Sequence, residues 1–181
     1  LTGKKILISS LNYEELADIN ASGQQFPEAG FQKIPTLEDV IKILPSKTIL
    51  NIEIKSQKFF SEGMEPVLAD TVLKNNLFDK VIVSSFNPIV LRKIRKMNSK
   101  IITAHLWGNH KIFSSMLWVY FSKPDLFHGD VSLLNKEKTS FLRSLNLKIF
   151  AYTVNTNKDL QKAKSLALDG VFTDNPKLFK E

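Results

Sequence analysis

The sequence predicts an α/β fold built from serial βα units, and three observations support this class. After residue 47, short β-branched or aromatic runs alternate with longer segments of helical period. The runs recur every 20 to 30 residues, which is the spacing of βα units. They are nearly continuous apolar stretches, such as 81–83, which is typical of parallel strands buried on both faces. An open doubly wound sheet and a closed (β/α)8 barrel both satisfy this pattern.

The pattern divides the chain into a loop-rich segment, residues 1–35, and serial βα units over residues 36–181. The predicted strands are Ile49–Lys55, Lys80–Phe86, Lys100–Trp107, Asp125–Val131, Leu147–Asn155 and Gly170–Asp174. The predicted helices are Thr36–Leu44, Glu65–Asn76, Pro88–Met97, Phe113–Ser122, Lys136–Leu145 and Lys158–Leu166, with a short helix after Asn175-Pro176. Asn87 and Asn157 precede two of these helices and are predicted to cap them.

Composition limits the class of protein. A chain of 181 residues that is 43% hydrophobic suits one compact domain. The absence of cysteine excludes a disulfide scaffold, a cysteine-ligated metal and a thiol nucleophile. The longest strongly apolar run, Ile112–Phe121, has ten residues, whereas a membrane span needs about 20. The chain begins without Met and without a signal-peptide pattern, so we expect it to start part-way through a protein or after processing. This leaves the compartment open, with a cytoplasmic location favoured.

The net charge of +7 is unevenly distributed, with −2 in residues 1–80 and +9 in residues 81–181. A basic second half is compatible with anionic partners, although a lysine-rich solubilising surface is the favoured interpretation. Leu91–Lys100 holds five basic residues without interleaved aromatics, which argues against nucleic acid. Ile112–Phe121 is predicted to be either a core-facing helix or an apolar lip that touches lipid as a peripheral membrane contact.

Single polar residues follow the predicted strands, which is typical of barrels, whose chemistry is spread over many strand ends. In residues 51–55, at the end of the first predicted strand, Glu53 and Lys55 share one face, and their Cα atoms are about 7 Å apart. Such a pair either binds a divalent cation and a phosphate oxygen, or it forms a structural salt bridge or lies at an exposed strand end. A single carboxylate does not complete a cation site, and Asp130 is the one further candidate ligand nearby. His105 and His128 lie near strand ends, where a satisfied polar role is favoured over general acid or base catalysis.

Four motifs resemble the glycerophosphodiester phosphodiesterase family, in the family's order. They are Ile34-Pro35-Thr36-Leu37-Glu38-Asp39-Val40 with 50–55, then Val83-Ser84-Ser85-Phe86-Asn87, then Ala151-Tyr152-Thr153-Val154-Asn155, and finally residues 169–176. The resemblance implies a metal-dependent phosphodiesterase on a (β/α)8 TIM barrel that cleaves glycerophosphodiesters to glycerol 3-phosphate and an alcohol. It implies Glu53 as a ligand of calcium or magnesium and Lys55 as the catalytic residue that neutralises phosphate charge. Ser85, Phe86 and Tyr152 would bind the substrate, with Tyr152 where the family usually has Trp.

The family's opening motifs are missing from these 181 residues. They are a His-Arg-Gly strand, a Glu-x-Asp pair and a His-Asp pair, which supply both catalytic histidines and two metal carboxylates in the family. The resemblance therefore implies the C-terminal three-quarters of the domain, with about six βα units and the first two barrel strands missing. Alone, this chain is expected to be inactive, and a non-catalytic phosphate-binding module is the alternative. The exposed sheet edges are expected to be covered either by upstream residues or by a second copy in a homo-oligomer.

Overall fold

The computed structural model describes residues 5–23, 26–56, 60, 63–110 and 112–179. The chain divides into two compact units, Leu1–Thr48 and Ile49–Glu181. No helix in these described ranges is both long enough and apolar enough to cross a membrane.

The first unit holds two short α-helices and two 3-10 turns. The helices are α1 (Tyr13–Ala17) and α2 (Leu37–Ile43), and the turns are Ile8–Ser10 and Pro27–Ala29. Both helices begin with a capping box, formed by Asn12 with Glu15 and by Thr36 with Asp39. The sequence predicted α2 but missed α1, because a helix of five residues is too short to show an apolar period.

The second unit is a six-stranded parallel sheet whose strands follow chain order, which confirms the prediction of part of a (β/α)8 barrel. The strands are β1 (Leu50–Glu53), β2 (Val81–Ser85), β3 (Ile102–Trp107), β4 (Leu126–Asp130), β5 (Lys148–Tyr152) and β6 (Gly170–Val171). All five residues of β2 are buried, as expected for a parallel strand covered on both faces.

Helices follow the strands of the second unit. They are α3 (Met64–Lys74), α4 (Pro88–Met97), α5 (Trp118–Ser122), α6 (Lys136–Ser144) and α7 (Asn157–Ser165), with a 3-10 turn at Pro176–Phe179. Asn87 caps α4 as predicted, since its side chain accepts a hydrogen bond from the backbone N–H of Ile89. The predicted cap at Asn157 is wrong, because Thr156 caps α7 in a reciprocal pair with Asp159.

The helix predicted over Phe113–Ser122 begins only at Trp118. Hydrogen bonds to residues outside the predicted helix hold the backbone at Phe113 and Ser114 in a non-helical conformation. The Trp107 indole N–H donates to the Ser114 carbonyl oxygen at 2.7 Å, and the Phe113 backbone N–H donates to the His110 ring at 3.3 Å. Period alone could not reveal these partners, because they come from the end of β3 and the loop after it.

The core of the second unit lies on both faces of the sheet. Phe127, Ile149 and Leu142 are fully buried on the face covered by helices, within one large apolar cluster. Ile82, Ala104 and Leu126 form a smaller cluster on the concave face. Because alternate residues of a strand point to opposite faces, this second cluster identifies the residues that line the barrel interior.

Candidate functional site

A cavity of about 160 Å³ lies at the carboxyl ends of β1 and β2. Its walls come from the end of β1, the start of the following loop, and two aromatic rings. The lining residues are Glu53, Ile54, Lys55, Ser56, Phe86 and His110. Chemistry in barrels is carried by this end of the strands, because the loops there can vary without disturbing the sheet.

Glu53 and Lys55 meet at this cavity. The Lys55 ammonium lies 3.3 Å from a carboxylate oxygen of Glu53. The Glu53 side chain is 31% exposed and that of Lys55 is 80% exposed, so the pair is neither locked in the core nor turned fully to solvent. An ion pair this exposed contributes about 0–1 kcal/mol to stability. The ammonium is therefore free to exchange its partner for an anionic ligand.

Ser85 is buried and is turned toward the backbone of β1 rather than into the cavity. Its hydroxyl donates to the Ile54 carbonyl oxygen at 2.8 Å and accepts from the Asn87 backbone N–H at 3.1 Å. The side-chain amide of Asn87 lies 3.4 Å from the hydroxyl oxygen of Ser56, a lining residue. Ser85 and Asn87 thus hold the segment that carries Glu53 and Lys55 in place.

Aromatic rings form one wall of the site. The rings of Phe86 and His110 stack with centroids 5.3 Å apart, and the rings of Phe86 and Tyr152 form a T-shaped pair with centroids 6.3 Å apart. The Tyr152 hydroxyl donates to the Trp107 carbonyl oxygen at 2.9 Å. Burial, and then the nearby charges of Asp130 and Glu53, raise the pKa of Tyr152. The phenol therefore stays protonated and remains a hydrogen-bond donor.

His110 is a cavity residue that the sequence analysis did not select. Its Nδ1 accepts from the backbone N–H groups of Phe113 and Ile112, which leaves Nε2 to carry the proton of the neutral ring. The sequence feature that marks this loop as part of the site is Gly108, which directly follows β3. A Cβ atom at Gly108 would lie 2.6 Å from the Tyr152 hydroxyl oxygen, so only glycine permits this approach.

His105 and His128 lie outside the cavity lining and are fully buried among aromatic rings. Nδ1 of His105 is 3.1 Å from the Ser122 hydroxyl oxygen, whereas neither ring nitrogen of His128 has a hydrogen-bond partner among the described residues. Burial lowers the pKa of both imidazoles to about 4. Both are therefore neutral near pH 7 and form part of the packed interior.

The carboxylates of the site do not form a complete metal centre. Within the described ranges, no three His, Asp or Glu side chains come close enough together to hold a metal ion. Asp130 directs one carboxylate oxygen to the backbone N–H and hydroxyl of Ser132, at 2.8 and 2.7 Å. Glu53 lines the cavity and is the carboxylate available there. Because calcium and magnesium take about six oxygen ligands, Glu53 fits as one ligand of such an ion.

Comparisons with known proteins agree with this architecture. The sequence model of the Glycerophosphoryl diester phosphodiesterase family matches residues 1–178. A glycerophosphodiester phosphodiesterase of Bacillus altitudinis is 28% identical over 179 residues, which are 97% of this chain and 73% of that protein.

Two solved structures share the fold. One is a glycerophosphodiester phosphodiesterase of Thermotoga maritima, with a TM-score of 0.71 and 24% identity over 99% of this chain and 73% of that one. The other is an Oleispira antarctica phosphodiesterase in complex with the product sn-glycerol-3-phosphate. It has a TM-score of 0.74 and 23% identity over 95% of this chain and 70% of that one.

Proposed function

The chain belongs to the glycerophosphoryl diester phosphodiesterase family, and on that premise we propose that its cavity binds the phosphate of a glycerophosphodiester. In the complete catalytic domain the diester is hydrolysed to glycerol 3-phosphate and an alcohol. The observation that carries the proposal is the Glu53–Lys55 pair, which stands at a strand end on the wall of a cavity with aromatic sides. A relative that holds sn-glycerol-3-phosphate as its product supports the same substrate class.

Lys55 is proposed as the catalytic residue that this chain contributes. Its ammonium is 80% exposed and is paired with Glu53 at 3.3 Å, in a pair of small net stability. A phosphoryl oxygen entering the cavity carries negative charge and replaces the carboxylate as the closest anion to the ammonium. Because charge on the phosphoryl oxygens changes during the reaction, a cation fixed beside them stabilises the transition state.

The aromatic wall is proposed to bind the glycerol part of the substrate. The Phe86 ring lines the cavity together with Lys55, and the Tyr152 ring packs against Phe86 edge to face. The Tyr152 proton is committed to the Trp107 carbonyl oxygen, so the phenol oxygen faces a glycerol hydroxyl as an acceptor. Ser85 acts through the Ile54 backbone and is a positioning residue.

A divalent cation, calcium or magnesium, is proposed as the cofactor, with Glu53 as one of its ligands. When bound, such an ion supplies positive charge that polarises a phosphoryl oxygen. The described residues offer no complete cluster of ligands for it. The 181 residues also contain neither a His-Arg-Gly motif nor a Glu-x-Asp pair. We therefore propose that this chain alone does not turn over substrate, since the loss of a general acid or base costs about 10²–10⁴-fold in rate.

The test compares two proteins in an assay with glycerophosphocholine and calcium or magnesium. The first is the 181-residue chain, for which we expect no turnover. The second is a chimera that carries the opening motifs of a family member ahead of residue 1, for which we expect metal-dependent release of glycerol 3-phosphate. Lys55→Met should lower kcat/KM of the chimera about 10²-fold or more. Lys164→Met, at an exposed position on α7, should leave it unchanged. A chimera that stays inactive, or one that is indifferent to Lys55→Met, contradicts the proposal.

A non-catalytic phosphate-binding module is the second candidate, and it is favoured for the isolated chain because Glu53 is the one carboxylate among the described residues that line the cavity. It predicts that glycerol 3-phosphate binds the 181-residue chain equally well with calcium and with a chelator. Calorimetry measures this directly, and Lys55→Met should abolish the heat of binding. Binding that appears only with the metal contradicts this second candidate and favours the first.

A further inference from the structure

An exposed apolar segment, residues 112–121, lies between β3 and the end of α5. Four large side chains of this segment are about half exposed or more. They are Ile112 at 49%, Leu117 at 64%, Tyr120 at 53% and Phe121 at 46%. Together with Ser115 and Trp118, three of these residues line a shallow cavity of about 390 Å³. Contiguous apolar surface of this kind marks an interaction site rather than a scattered surface residue.

The apolar segment is anchored to the core of the second unit by its buried residues. Phe113 is fully buried, and Val119 is 3% exposed within the large core cluster. The Trp107 indole also holds the Ser114 carbonyl oxygen at 2.7 Å. The backbone that carries the four exposed side chains is therefore packed against the core.

A continuous row of aromatic rings joins the cavity of the candidate site to the apolar segment. His110 lines the cavity and stacks on Phe113 with centroids 5.5 Å apart. Phe113 meets Trp118 edge to face at 5.7 Å, and Trp118 meets Phe121 in the same way at 6.0 Å. The apolar segment is thus linked to the cavity through packed rings.

The surroundings of the apolar segment are mostly basic, and Asp125, which follows it, is paired with Arg95 at 2.7 Å. Residues 88–124 contain seven Lys or Arg and no Asp or Glu. Lys123 is exposed directly after the segment, and α4, which packs against α5, exposes Lys93 and Lys96. Exposed apolar side chains flanked by cations are complementary to an anionic lipid surface, where the side chains enter the interface and the lysines meet headgroups.

We propose that the apolar segment docks this protein on an anionic lipid bilayer, with Leu117, Tyr120 and Phe121 entering the interface. A second copy of the chain is disfavoured as the occupant, because it would bring two strongly basic surfaces together. The aliphatic Ile112 and Leu117 favour lipid over nucleic acid, because they gain by entering the interface, whereas only the rings of Tyr120 and Phe121 could stack on bases. The proposal concerns binding and does not depend on the proposed phosphodiesterase activity.

The test is co-sedimentation of the 181-residue chain with vesicles. Vesicles of phosphatidylcholine with about one quarter phosphatidylglycerol should bind the chain, and vesicles of phosphatidylcholine alone should not. Leu117→Ser with Phe121→Ser should weaken binding about tenfold or more, because the inserted apolar area is lost. The matched control is Val67→Ser with Leu73→Ser, at positions on α3 that are 68% and 57% exposed, and it should bind like the unmodified chain.

The charge contribution is tested separately. Lys93→Ala with Lys96→Ala should weaken binding about fivefold for each lysine. Lys158→Ala with Lys164→Ala, at exposed positions of α7, should have no effect. Equal binding to both vesicle compositions overturns the proposal, and so does an absence of binding. Unchanged binding of the variant with Leu117→Ser and Phe121→Ser overturns it as well. A dimer in solution that is disrupted by Leu117→Ser with Phe121→Ser would assign the segment to a second copy. Duplex DNA that binds through the same side chains would assign it to nucleic acid.

Discussion

Acid should destabilise the second unit through its two buried histidines, His105 and His128. Burial lowers the pKa of each imidazole from 6.5 to about 4 in the folded protein. In the unfolded chain each imidazole takes up a proton as the pH falls through 6.5. Between these two values the unfolded state binds more protons than the folded state, so stability falls as the pH falls. Well above pH 6.5 both states are neutral and the contribution is constant.

The magnitude follows from these pKa values. Between pH 7 and pH 5, each histidine removes about 2 kcal/mol from the free energy of unfolding, and the two together remove about 4 kcal/mol. Small domains have about 5–15 kcal/mol of stability in all, so this loss is a large fraction of the total. For His128, proton uptake is opposed by an environment made of Phe150 and Phe172 rings, where no described group accepts a hydrogen bond from it.

The assay is urea denaturation at the two pH values, followed by circular dichroism. His128→Leu should remove about half of the pH-dependent loss, since one of the two titrating groups is gone. Leu142→Ala, at a fully buried position on α6, is the matched control. It should lower stability by the same amount at both pH values and keep the full pH dependence. If His128→Leu loses as much stability on acidification as the unmodified chain, the reasoning is refuted.

Two further predictions concern local contacts. Gly108→Ala should cost about 1–3 kcal/mol, because a Cβ atom 2.6 Å from the Tyr152 hydroxyl oxygen displaces its hydrogen bond to Trp107. In a Tyr152→Phe background the cost should shrink, and an equal cost in both backgrounds, measured by thermal unfolding, contradicts the clash. Thr156→Ala should cost about 1 kcal/mol through loss of the α7 cap. The hydrogen bond from Thr156 lowers the pKa of Asp159, so the same variant should raise that pKa toward 3.8 in an NMR titration, and an unchanged pKa would rule the cap contact out.

Much of the fold could be predicted from the sequence, because strands and helices of parallel sheets carry a local period. All six strands were located, and the residues predicted for α4 are those observed. The predictions of helix starts are wrong where hydrogen bonds to other residues outweigh the local helical preference of the sequence. Thr156 caps α7 in place of Asn157, because the chain enters the helix one residue earlier than predicted. The helix ending at Ser122 is short, because the loop before it bonds to Trp107 and His110.

The family, the sheet and the shared face of Glu53 and Lys55 were determined by the sequence alone, because strand period and motif order are properties of neighbouring residues. Which side chains surround the cavity was decided only by the tertiary structure. His110 comes to the cavity from the loop after β3 by stacking on Phe86, and Ser85 turns away to bond the Ile54 carbonyl oxygen. These placements depend on contacts between segments that are distant in the sequence and that form once the strands lie side by side. Local sequence patterns do not predict such contacts.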